Sequence, residues 1–353
     1  MAQLILHIGT HKTGTTTIQR FLSGNRRALR QQGIFYPGSD VGDFFQQHYA
    51  HHRIAHALAG RQDAETMRDV AGYFDAVRGQ VRAGELVLIS AEPLYRHVSR
   101  VDEGEEGRRL DGGAAYLGDP LPYIQALRQA IGQFDVKVVI MLRRQDLFLE
   151  SLYSEQIMAR DYTDDIEQFA EERAWMLDYD ARLGEWASVF GQENIDVRVF
   201  EPRRFEVPLE RYFIEWIGGE WDNSLTMGGS TNITVPRDLV EFKRELNKQW
   251  VRNNNATIRS WLEELAARFP QRFATLGKAY LDDRSRQGVM ARVEDGNRRV
   301  AQTYLGRDEL FFDSELPSYP EPRPLTRQRY TQLSRVLLNE LARRERGAAQ
   351  RGR

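Results

Sequence analysis

Apolar residues fall along the chain in short unbroken runs and in stretches of helical spacing, and the two alternate. Leu4-Ile5-Leu6-His7-Ile8 is the first run. It reads as a buried strand, followed by a Gly/Thr turn and an amphipathic helix over about 15–31. Residues 33–36 read as a second strand closed by Pro37-Gly38, with helical spacing near 49–58 and 64–82. Leu86–Ser90 (LVLIS) is a third strand and 136–142 (VKVVIML) the strongest, with a helix over 121–131 between them. Helices are expected at 146–159 and 182–190, and residues 195–200 alternate as an outer strand does. Strands that are apolar throughout and separated by helices belong to a parallel sheet covered on both faces. The expected fold is α/β, a three-layer core around a mainly parallel five-stranded sheet, plus a helical C-terminal part.

Strand signals stop near residue 223, so the chain divides into a core over 1–220 and a helical extension over 221–353. The extension is expected to pack on the core. Residues 100–120 are charged and Gly-rich without periodicity, which fits a surface excursion or a mobile flap.

Composition narrows the chemistry. Of 353 residues, 28% are charged and 41% hydrophobic, enough apolar material for a substantial core. Lys plus Arg number 49 against 51 for Asp plus Glu, a net charge of −2 that indicates no nucleic-acid partner. There is no cysteine, which excludes disulfides, thiolate metal sites and thiol nucleophiles. No apolar run approaches the ~20 residues of a transmembrane segment, and the first run lacks the pattern of a signal peptide. A soluble, cytoplasmic protein is expected, and no feature sets its oligomeric state. All seven histidines lie in the first hundred residues.

The segment after the first strand carries the strongest chemical signal: Gly9-Thr10-His11-Lys12-Thr13-Gly14-Thr15-Thr16-Thr17. A strand that enters a Gly/Thr turn and opens directly into a helix aims backbone N–H groups and the positive helix end at one spot, an anion site. Lys12 adds a mobile charge and the threonines short donors. Gly9 and Gly14 have the spacing of a nucleoside-triphosphate loop, G-x-x-x-x-G-K-[ST], but Thr15 stands where that loop has its lysine. The plain alternative is a βα turn with a solvated lysine.

The order Lys12-Thr13-Gly14-Thr15-Thr16 after a strand resembles the 5′-phosphosulfate loop of bacterial sulfotransferases that use 3′-phosphoadenylyl sulfate (PAPS). The resemblance extends to Gly33–Pro37 followed by His51-His52, to Ser90-Ala91-Glu92, and to 186–200, and covers roughly residues 1–220. It implies a P-loop-type core and transfer of a sulfuryl group from PAPS, leaving PAP, with no metal. The acceptor it implies is a hydroxyl of a carbohydrate or glycan-containing molecule, in a site shaped partly by the extension. In that family an arginine ends a later core strand and a serine follows eight positions on, both serving the donor's 3′-phosphate; Arg143 and Ser151 stand so here. Arg298, in the weaker match at 297–299, is a further candidate for that phosphate.

The acceptor hydroxyl needs a base. Glu92 ends the third strand, where related cytosolic sulfotransferases carry a catalytic histidine. His51 and His52 follow the second strand, where glycan-modifying relatives carry a glutamate. His48, His52 and His56 share a helical face, but 48 and 56 are two turns, about 12 Å, apart, too far for one ion. Two other functions stay open: a nucleotide-dependent kinase, which would want Gly-Lys-[Ser/Thr] and a strand-end aspartate for Mg²⁺, and a non-catalytic phosphate- or glycan-binding protein. Lys12, Glu92 and Arg143 all follow carboxyl ends of expected strands, and should converge on one edge of the sheet.

Overall fold

A computed structural model describes residues 2–41, 49–60, 64–96, 120–228, 234–249, 255–312 and 318–351. The first apolar run is β1, Gln3–His7, and its alternation explains why it is apolar throughout. Leu4 and Leu6 join one buried cluster, with Val87, Ile89, Val138 and Ile140, while Ile5 joins another with Leu88 and Val139. Successive side chains of a strand point to opposite faces. Both faces of this sheet are covered, so neither parity can be polar.

The other strands are β2 Ile34–Phe35, β3 Leu86–Ser90, β4 Asp135–Leu142 and β5 Ile195–Val199. Their order is β2-β3-β1-β4-β5, and every pairing is parallel. The strand met first in sequence is therefore central, with His7 level with Ser90 on one side and Val139 on the other. Helices His52–Gly60, Ala64–Gln80, Pro120–Ile131 and Tyr179–Phe190 bury Leu58, Phe74, Tyr123 and Trp186 on one face. Helices Thr15–Gly24 and Leu209–Trp216 bury Phe21 and Phe213 on the other. The α/β three-layer expectation holds.

The single helix expected over 15–31 is two, Thr15–Gly24 and Arg26–Gln31. Asn25 breaks it: its Nδ2 donates to the carbonyls of Phe21 and Thr226 at 2.8 and 3.0 Å, and its Oδ1 accepts the Thr226 amide at 2.9 Å. A distant loop thus fixes the kink, and local spacing carries no trace of it.

Among the described residues no strand follows Val199. Helices Arg237–Gln249 and Asn255–Arg268 share a third apolar cluster with helix Gln145–Ala159, through Phe242, Leu262 and Leu152. Helix Asp283–Val300 is tied to the same element by buried charges. Arg286 reaches Asp146 at 2.8 Å and Glu150 at 2.6 Å, and Arg144 reaches Asp146 at 3.1 Å. Glu150 also accepts the amides of Tyr280 and Leu281 at 2.6 and 2.9 Å. No described helix is long and apolar enough to cross a membrane. The surface excursion or flap expected at 100–120 lies, apart from Pro120, outside the described residues, as do His48 and His97.

Candidate active site

β1 ends at His7, and the chain leaves the sheet through residues 8–14 before turning into helix Thr15–Gly24. Gly9 and Gly14 have φ of 86° and 77°, and Lys12, at 65°, is the one non-glycine with positive φ among the described residues. Such backbone costs a lysine on the order of 1 kcal/mol, so neighbours must hold it. Arg143 Nη1 donates to the Lys12 carbonyl at 2.8 Å. Thr13 Oγ1 donates to the Thr10 carbonyl at 2.7 Å, and the Thr10 amide and hydroxyl both donate to the Met141 carbonyl, at 3.2 and 3.1 Å. The loop is thereby sewn to the end of β4. A Cβ at Gly9 would lie 2.9 Å from Glu92 Cα, and one at Gly14 would overlap Leu209.

Helix Thr15–Gly24 starts at Gly14 without a side-chain cap and without an acidic residue in its first turn. Its positive end and leading amides face the loop, which suits an anion. Thr16 and Thr17 are half-buried in that turn. Thr13 and Thr15 spend their hydroxyls inside the protein, on Thr10 and on the Glu92 carboxylate.

Glu92 follows β3, held beside β1 by the Ala91 amide on the His7 carbonyl at 2.9 Å. It receives the Thr15 hydroxyl and lies 3.3 Å from His11 Nδ1. Burial pushes this carboxyl up, but His11, Thr15 and His52 together outweigh it and hold it well below the usual carboxylate range. It is ionised at neutral pH. The Lys12 ammonium meets a second carboxylate, Glu155 of helix Gln145–Ala159, at 2.8 Å. Burial raises the Glu155 carboxyl, and Lys12 and His11 more than offset it. Lys12, Glu92 and Arg143 therefore do converge, and His11 and Glu155 belong with them although sequence reasoning gave neither a role. His11 stood inside the motif and could have been found from it. Glu155 resembles any helical surface charge. Ser151 lies one turn before Glu155 and so on the same face of their helix.

Other candidates are placed differently. His51 is buried, and both of its ring nitrogens are used: Nδ1 accepts the Ser90 amide at 3.1 Å and Nε2 donates to the Pro37 carbonyl at 3.1 Å. An amide can only donate and a carbonyl only accept, so the pair fixes the neutral Nε2–H tautomer. This corrects the expectation that His51 could serve as base. His52 opens its helix half-buried, and its Nε2 is buried without a partner. Burial lowers its proton affinity, Glu92 raises it, and His11 and Arg96 lower it again. Arg298 is half-exposed on helix Asp283–Val300, paired with Asp295 at 2.9 Å and Glu294 at 3.3 Å on its own helix. Its neighbour Asn297 instead reaches inward, exchanging hydrogen bonds with Gln145 just after Arg144. Asp146, the one strand-end aspartate a kinase could use, is enclosed by Arg144 and Arg286. Among the described residues no three His, Asp or Glu side chains gather as metal ligands would.

Buried histidines give the fold an acid dependence. Burial lowers His7 to about 4, with Glu92 pulling the other way. Burial likewise lowers His51 to about 4, with the hydrogen bond to the Pro37 carbonyl pulling the other way. In the unfolded chain both titrate near 6.5 and take up protons first, so stability is lost as pH falls from about 6.5 to 4. The expected loss is on the order of 3 kcal/mol per histidine by pH 4. Urea unfolding at stepped pH measures it. In His51→Gln the slope should flatten by about one proton, and an unchanged slope would refute the assignment.

No family model matches the chain, and no curated protein matches it. Among solved structures it is similar to a sulfotransferase from Alicyclobacillus acidocaldarius, at 18% identity over 76% of this chain and 96% of that one, with a TM-score of 0.38. A likeness at that identity concerns the fold alone and leaves this chain's own chemistry to be argued from its residues.

Proposed function

We propose that the chain is a PAPS-dependent sulfotransferase acting on a hydroxyl acceptor, of carbohydrate or glycan class. The observation that carries this reading is the Lys12 loop: an uncapped helix start, two glycines at positive φ, and a lysine whose backbone is held by Arg143. One guanidinium donor of Arg143 holds the loop, and the rest of its planar fork serves the donor's 3′-phosphate with Ser151. Thr16, Thr17 and the first-turn amides take the 5′-phosphosulfate. The acceptor oxygen forms its bond to sulfur as the bond from sulfur to the bridging phosphate oxygen breaks, and PAP leaves with that electron pair. Lys12 stabilises the charge that develops on the bridging oxygen.

Glu92 takes the acceptor proton, with His52 as the competing group. Held by His11, Thr15 and His52, the carboxylate is by itself too well stabilised to be a strong base. A polyanionic donor beside it raises its proton affinity toward the useful range. Glu92→Gln should lower turnover by about 10²–10³-fold while PAP binding changes by less than about threefold. If His52→Ala gives the larger loss, the base is His52.

Thermal shift with PAP against ADP or ATP plus Mg²⁺ tests the donor class, and turnover of labelled PAPS over an acceptor library tests the reaction. Stabilisation by ATP–Mg²⁺ alone would overturn the reading in favour of a kinase. PAP binding without turnover of any acceptor would make the chain a binding protein.

A further inference from the structure

In this structure the Lys12 ammonium has a carboxylate partner. Lys12 Nζ lies 2.8 Å from Glu155 Oε2, and both side chains are about one-third exposed, at 35% and 28%. The backbone of Lys12 cannot follow a moving side chain, because its carbonyl is fixed by Arg143 at 2.8 Å. The four-carbon stem can. A donor sulfate entering the loop and the Glu155 carboxylate are two anions that want the same cation, so binding requires the ammonium to be shared or exchanged between them. Nothing in the transfer reaction itself needs a carboxylate at this point, since Glu92 already stands at the end of β3.

We infer that Glu155 is a positioning residue for Lys12. It holds the ammonium away from the donor's ground state and releases it as charge develops on the bridging oxygen. This inference rests on the sulfotransferase reading and deepens it. An interaction made more fully in the transition state than in the ground state raises turnover, whereas one made equally in both only tightens binding. Glu155 moves part of the Lys12 interaction from the second kind to the first. No bond forms or breaks at Glu155, and no proton passes through it. Its reach to Lys12 depends on helix Gln145–Ala159, which Arg286 anchors through Asp146 and Glu150.

Glu155→Gln keeps the side-chain shape and removes the charge. The expected result is PAP binding about tenfold tighter by titration calorimetry, with donor KM and kcat both falling by a similar factor. The tightening should vanish in a Lys12→Ala background. If it persists there, the carboxylate repels the anion directly and the inference is wrong. Glu155→Asp, which keeps the charge, should hold PAP affinity within about threefold of the parent. Unchanged PAP affinity and unchanged KM in Glu155→Gln would also overturn the inference, and so would a fall in kcat alone. Absence of PAP binding by the parent protein is a different failure, because it removes the sulfotransferase reading itself. Equal melting temperatures of parent and Glu155→Gln keep the comparison free of folding effects.

Discussion

Replacing Lys12 with glycine is expected to lower turnover of labelled PAPS by about 10³-fold while leaving the melting temperature where it was. The two halves of this result have separate causes. In the proposed reaction the ammonium supplies the positive charge at the leaving oxygen, and electrostatic groups of that kind are worth about 10²–10³ each in rate. The backbone, at φ of 65°, is strained for lysine and relaxed for glycine, a gain on the order of 1 kcal/mol. The lost pairing with Glu155 is partly exposed, which limits its stabilising value to about 1 kcal/mol or less. Gain and loss nearly cancel. Lys12→Ala should lose as much turnover but melt lower, because alanine keeps the strain and lacks the ion pair. Comparable turnover in either variant would remove Lys12 from the mechanism, and a large loss of stability in the glycine variant would make the ammonium a structural post.

Arg286→Ala is expected to destabilise the protein by about 4 kcal/mol, a fall of roughly 5 °C in melting temperature for a chain of this size. Its guanidinium is buried between Asp146 and Glu150, at 2.8 and 2.6 Å, and stacks 3.8 Å over the Tyr319 ring. Removing it leaves carboxylates buried with less compensation, which is far worse than losing a surface pair. Asp146→Leu combined with Arg286→Met should cost less than the sum of the two single changes, since the contact between these two charges is then lost once and not twice. Strict additivity would mean the pair is energetically idle. The loss should also reach the site: helix Gln145–Ala159 carries Ser151 and Glu155, so PAP affinity should weaken in Arg286→Ala at temperatures where the protein remains folded.

What the sequence revealed was set by locality. Leu4–Ile8, Leu86–Ser90 and 136–142 were legible as strands because burial on both faces leaves an unbroken apolar run. The Gly/Thr loop was legible because glycine spacing, lysine and threonines lie within nine residues. The Asn25 break was hidden, because the bond that makes it comes from Thr226. The occupancy of His51 was hidden too, since Pro37 and Ser90 reach it from two different strand ends. Glu155 is the sharpest case: only the crossover from β4 into helix Gln145–Ala159 brings it to Lys12.

The central place of β1 has a consequence for how the protein is made. Its partners are β3 and β4, both made after it, so β1 is paired on both sides only once β4 has been synthesised. At 5–20 residues per second, roughly 7–27 s pass between synthesis of His7 and of Arg143. Through that interval β1 has at least one open apolar edge, a template for wrong pairings, and the positive φ of Lys12 has no carbonyl clamp to hold it. The Lys12 loop is thus completed late, only once Arg143 has been made and can reach the Lys12 carbonyl.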